Sequence, residues 1–171
     1  MCGAELHSLP DGVQRVAKVL QQQGHAVAPR MLDSAARTAQ QAADALGIGI
    51  GQIAKSIIFK RKPDGAAVLV ITSGDKRVDV AKVQELVCSP GQTLGRADAD
   101  FVKAKTGFAI GGVSPIAHTT QLVTLIDREL FRFDTVWAAA GHPHAVFELS
   151  PRDLERLTGA PIADVTELGV A

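Results

Sequence analysis

The chain has 171 residues, 46% hydrophobic and 21% charged, an ordinary globular composition with room for a real core and unlike that of a disordered chain. Its 18 lysines and arginines balance 18 aspartates and glutamates, which argues against a protein that coats a nucleic-acid backbone but not against one that grips only an RNA end. Two cysteines, Cys2 and Cys88, make neither a disulfide framework nor a metal finger, no apolar run reaches the ~18–20 residues of a membrane span, and residues 1–10 lack the basic start and apolar stretch of a secretory leader.

No repeat, low-complexity tract or linker divides the chain, so residues 1–171 read as one domain of a reduced, cytoplasmic protein. A first helix is predicted over 11–23, where Val13, Val16, Ala17 and Leu20 share a face and Gly24 stops it. Thr38 opens a second helix, with Gln41 completing a capping box and Gly47 ending it. Residues 53–60 and 66–72 form a hairpin around Lys62, Pro63, Asp64 and Gly65. Asp79 caps a helix to about Val87, and Asp98 caps another to about Lys105. Short strands are predicted at 108–111, 122–126, 136–140 and 145–149. Ser150 and Pro151 open a last helix that Gly159 terminates.

Helices and strands intermix without βαβ alternation, and the hairpins rule out an all-parallel sheet. The predicted fold is α+β, a mixed and curved sheet packed by helices. No glycine-rich turn follows a strand and opens a helix, so classical nucleotide binding is not expected.

Lys55 is the most informative residue. Strand alternation puts it on a face with Ile53, Ile57 and Phe59, opposite Ala54, Ser56 and Ile58, and both faces look buried through mid-strand. Two readings stand beside each other. The lysine buries its stem and sends its ammonium to water, or its charge holds an anion or polarises a carbonyl in a cleft. The segment TGFAIGGVSP at 106–115 presents backbone groups unshielded by side chains at Gly111 and Gly112, ready to meet a small ligand, although such pairs also serve simple bulges and turns. The GHPH segment at 141–144 reads as a surface turn, because two histidines are too few for a metal site. His118 reads as a solvated loop residue. Lys76 and Arg77, in a polar loop after the hairpin, are candidates for steering RNA phosphate, beside the default of a solvated charged loop. No Ser–His–Asp or Cys–His set is evident.

Together, QIAKSIIF at 52–59, SGDKRVD at 73–79, TGFAIGGVSP at 106–115 and VWAAAGHPH at 136–144 resemble the YbaK / prolyl-tRNA-synthetase-associated family, over about residues 38–157. The resemblance implies a mixed α/β fold with a barrel-like sheet and removal of wrong amino acids from tRNA, typically tRNA for proline. It implies no metal or other cofactor. The family's functional lysine maps onto Lys55, and its substrate loop onto Gly111, Gly112, Val113, Ser114 and Pro115, with Gly141 and His142 also placed on the substrate side. The expected partners are the acceptor end of aminoacyl-tRNA and an aminoacyl-tRNA synthetase, and neither DNA nor a membrane. The chain contains no tyrosine, so a role that some relatives give to a pocket tyrosine does not transfer. The implied chemistry is hydrolysis of the aminoacyl ester by a positioned water, with the oxyanion stabilised and no covalent intermediate. A non-catalytic module that captures an amino acid, a nucleotide or an RNA end is the alternative.

Overall fold

The computed structural model describes residues 9–168; Cys2 and residues 1–8, on which the reading of the N-terminus rests, lie outside them. Helix α1 (Asp11–Gln22) buries Val13, Val16, Ala17 and Leu20, the predicted face. The two-residue strand β1 (Arg30–Met31) follows. Helix α2 (Ala39–Leu46) starts at the capping box of Thr38 and Gln41 and ends at Gly47, in the left-handed region at φ +68°. That conformation costs a glycine nothing sterically, so the helix stops there.

The hairpin comprises β2 (Ile53–Lys62) and β3 (Ala67–Ser73), paired antiparallel with Lys55 opposite Thr72. Helix α3 (Val80–Val87) is capped by Asp79, β4 (Thr93–Arg96) returns beside β2, and α4 (Ala99–Thr106) is capped by Asp98. Then come β5 (Val123–Asp127), β6 (Val136–Ala139) and β7 (Ala145–Leu149). Helix α5 (Pro151–Thr158), capped by Ser150, and β8 (Ile162–Ala163) close the described chain.

The strands form one mixed sheet in the order β1-β7-β6-β2-β3-β5-β8. β3 and β5 run parallel, as do β2 and β6, while the hairpins are antiparallel. Among the described residues the sheet ends in β1 and β8, so its curvature does not close into a barrel. Every residue of β3 is buried. Leu69 and Ile71 join the main core under α1 and α5, whereas Val68 and Val70 join a second cluster with Val83 of α3. Burial on both faces explains why this strand is apolar from Ala67 to Ile71.

Two expectations need correction. Residues 108–111 form no strand; Phe108 is buried in the core, its amide donates to Thr106 Oγ1, and the Gly112 amide closes a turn onto the Ala109 carbonyl. The middle of β2 is not buried on both faces, since Lys55 to Lys60 are all half-buried. The outer edge of β2 is shared by two short strands, with Ile53 and Ala54 paired to β6 and Phe59 to Lys62 paired to β4. The stretch between has no strand beside it on that edge, and there the sheet opens into a cavity.

Candidate active site

The cavity has a volume of about 400 Å³ and is walled by β2 from Ile53 to Ile58, by Gly111 and Val113, and by Trp137 and Ala138 of β6. The chain before α2 supplies Ala36 and Arg37, and small or aliphatic side chains dominate the remainder. A mostly apolar hollow with a few polar groups is the usual form of a small-ligand site.

Lys55 lines this hollow, half-buried, and its Nζ donates to the Lys76 carbonyl at 2.8 Å. The acceptor is fixed by the turn after β3. Gly74 N donates to the Ile53 carbonyl and Lys76 N to the Ser73 carbonyl, while Ser73 Oγ donates to the Gly51 carbonyl at 2.6 Å. Asp75 in the same turn accepts two hydrogen bonds from Arg132, the shorter at 2.8 Å. Beneath it, fully buried Asp127 accepts from Thr72 Oγ1, Ser73 N and Glu129 N. Burial lowers the Lys55 pKa from its ordinary 10.5, the Asp75 and Asp127 carboxylates offset part of that, and Arg77 adds to it. Asp75 is itself held below the usual carboxylate range, chiefly by its hydrogen bond from Arg132.

The glycine loop divides in two. Gly111 and Val113 reach the cavity, and Gly111 sits at φ +95° with the aliphatic stem of Arg37 against it. Gly112, Ser114 and Pro115 are buried behind that wall. A side chain on Gly112 would meet the His142 backbone at 2.8 Å, so glycine is required there by close approach. Ser114 Oγ accepts from Ile116 N, and its carbonyl bonds His118 Nε2 at 2.7 Å. His118 is thus engaged and half-buried against Phe108, with its pKa lowered by burial, and is not the solvated loop residue expected.

Gly141 and His142 do not line the cavity. Gly141 packs on the backbone of Gly12, and His142 Nδ1 accepts from His144 N. The GHPH turn instead anchors the segment before α2 that supplies Ala36 and Arg37, because Leu32 N donates to the His144 carbonyl and Ala36 N to the Pro143 carbonyl. Of the loop after β3, the Lys76 carbonyl belongs to the Lys55 site, while Arg77 is exposed. Sequence reasoning missed Arg37, Trp137, Asp127 and Arg132. Asp75 and Trp137 stood inside segments already singled out; Arg37, Asp127 and Arg132 carried no signal of their own. Among the described residues no group of three His, Cys, Asp or Glu side chains is placed to hold a metal ion, and no helix is long and apolar enough to cross a membrane.

Fold and cavity define a small α/β domain with a mostly apolar hollow beside a half-buried ammonium. The chain belongs to the aminoacyl-tRNA editing domain family, whose model matches residues 33–157. It is 28% identical over 129 residues to EbsC of Enterococcus faecalis, a candidate Cys-tRNA(Pro)/Cys-tRNA(Cys) deacylase, covering 75% of this chain and 77% of that protein. The uncharacterized protein YwhH of Bacillus subtilis is 29% identical over 126 residues, or 74% of this chain and 78% of its own length. A solved structure described as a candidate trans-editing enzyme for prolyl tRNA synthetase superposes with a TM-score of 0.85 at 40% identity, over 94% of this chain and 99% of that one.

Proposed function

We propose that this chain, as a single editing domain over residues 1–171, hydrolyses the ester of mischarged aminoacyl-tRNA in trans. Its substrate is tRNA for proline or a related tRNA. The observation that carries the reading is Lys55, half-buried at the wall of an apolar cavity in a chain of the editing family.

An ester has a good leaving group, so a positioned water suffices once the developing oxyanion is stabilised. The Lys55 ammonium has three N–H donors and spends one on the Lys76 carbonyl. The other two serve the carbonyl region of the ester or the phosphate beside it. Gly111 backbone groups cradle the aminoacyl moiety, and Val113 limits its width. Gly112, Ser114, Pro115, Gly141 and His142 act one layer back, holding that loop in place. The alanines of the wall, Ala36, Ala54 and Ala138 among them, favour a small, uncharged amino-acid side chain. No protein general base is assigned; the family resemblance implies assistance from the substrate itself, through a neighbouring ribose hydroxyl or a side-chain thiol.

The acceptor end of the tRNA is the part that binds, and a prolyl-tRNA synthetase is the partner whose errors the domain corrects, in the cytoplasm. Deacylation of tRNAs charged with alanine, cysteine, serine, threonine or proline tests this. Faster loss of one mischarged ester than in buffer supports it and names the substrate. If every ester outlasts the buffer control, the domain is a binder and the reading falls.

A further inference from the structure

β2 walls the cavity from Ile53 to Ile58, and farther along the same strand Lys60 and Lys62 line a second groove. Ala97 borders both hollows, and the far wall of each is built by neighbouring residues of α4, Val102 for the cavity and Phe101 for the groove. Cavity and groove thus adjoin at Ala97 along β2. At a strand rise of about 3.3 Å per residue, Lys60 and Lys62 lie about 17 and 23 Å along β2 from Lys55.

The groove's charge is out of keeping with the rest of the molecule. Net charge is zero, yet Lys60, Lys62, Arg96 and Lys105 gather around the Phe101 ring, with Lys60 Nζ 5.3 Å and Lys105 Nζ 5.8 Å from its centroid. None of these four enters an ion pair among the described residues; the seven ion pairs use other cations. The one acid in the groove, Asp98, is occupied as the cap of α4, accepting from Phe101 N. Unpaired cations around a half-buried aromatic ring suit a ligand with repeated anionic groups and flat, stackable rings.

We infer that this groove seats the single-stranded 3′ end of the RNA substrate, with backbone phosphates against Lys60, Lys62 and Arg96 and a base against Phe101. The inference rests on the reading that the cavity takes the aminoacyl end, and it identifies how the rest of the substrate is held. The strand leaves the cavity toward the far end of β2. That direction leads away from the turn carrying Lys76 and Arg77, whose carbonyl meets Lys55 near the start of β2. A neutral protein thereby obtains affinity for an RNA end without a basic surface overall, because only a few phosphates are engaged.

The test compares wild type, the double variant Lys60→Gln/Lys62→Gln, and Phe101→Leu on two substrates bearing the same amino acid, mischarged tRNA and 3′-aminoacyl-adenosine. On tRNA, each variant is expected to lose about tenfold or more in kcat/KM through KM. The salt dependence of the double lysine variant is expected to be shallower by about 1.4 in logarithmic slope, about 0.7 for each lost phosphate contact. On aminoacyl-adenosine, which lacks those phosphates, the variants should match wild type. Equal loss on both substrates, or undiminished activity on tRNA, overturns the groove while leaving the editing activity standing. If wild type cleaves neither substrate, the functional reading fails and the groove falls with it.

Discussion

Lys55 Nζ donates to the Lys76 carbonyl oxygen at 2.8 Å, linking the start of β2 to the turn that follows β3. The bond fixes a flexible side chain in one place while leaving two of its donors free. Around it, Asp75 and Arg132 brace the turn from outside and Asp127 braces it from below. The ammonium is thereby held at the cavity wall and not extended into water, the arrangement that electrostatic stabilisation of a transition state needs.

Replacement Lys55→Ala should therefore cut deacylation by about 10²–10³-fold, the usual cost of removing a preorganised donor to an oxyanion. The fold should survive, because Lys55 is half-buried and contributes no packing to the core clusters. Single-turnover deacylation beside a thermal melt separates the two effects. A fully active, normally folded Lys55→Ala would remove the lysine from the mechanism.

Because burial dominates its shift, Lys55 should titrate below the 10.5 of an ordinary lysine. The protonated form is the useful one, so activity is expected to be present at neutral pH and to fall as pH rises through the lowered pKa. The Asp75 charge acts in the opposite direction, holding the proton on. Asp75→Asn removes that charge and should move the Lys55 titration further down, narrowing the alkaline side of the activity profile. Heteronuclear NMR of the lysine side chains, assigned with Lys55→Ala, reads both shifts. A Lys55 pKa at or above 10.5, or an upward move in Asp75→Asn, contradicts this account.

Gly112→Ala tests the division of the loop. A Cβ there would lie 2.8–2.9 Å from the N, Cα and C atoms of His142, which are backbone and give way only if a whole turn moves. The expected cost is about 1–3 kcal/mol of stability, typical of overpacking. Gly111 and Val113 on either side line the cavity, so the displaced loop should also raise KM. Urea unfolding and steady-state kinetics measure the two; an unchanged midpoint would mean that the close approach is not tight.

What could be read in advance was local chemistry. The capping box of Thr38 with Gln41, the opening of the last helix at Ser150 and Pro151, the aspartate caps at Asp79 and Asp98, and the glycine stops at Gly47 and Gly159 each lie within a few residues, and periodicity did the rest for α1 and the hairpin. Strands β1 and β8, two residues each, are too short to show any alternation. The 106–115 segment misled because its β-forming residues have no partner strand, and Phe108 goes into the core instead. At the site, Lys55 was conspicuous as a cation in an apolar strand. Its acceptor is a backbone carbonyl, which has no residue signature. Thr72 meets Asp127 across 55 positions and Asp75 meets Arg132 across 57, contacts that only the folded sheet creates.

Ser56 offers the last test. Its Oγ is buried against the cavity and has no hydrogen-bond partner among the described residues. A buried hydroxyl without a partner costs about 1–3 kcal/mol of desolvation that nothing returns. Ser56→Ala removes the oxygen and keeps the β-carbon, so it is expected to leave stability unchanged or to raise it by about 1 kcal/mol. Chemical denaturation gives the sign. A loss of more than about 1 kcal/mol would reveal a hydrogen bond to this oxygen in the folded protein. Kinetics on the same variant adds a second reading. If stability rises while kcat/KM falls, substrate supplies the missing partner, and the hydroxyl is retained for binding at the expense of the free protein's stability.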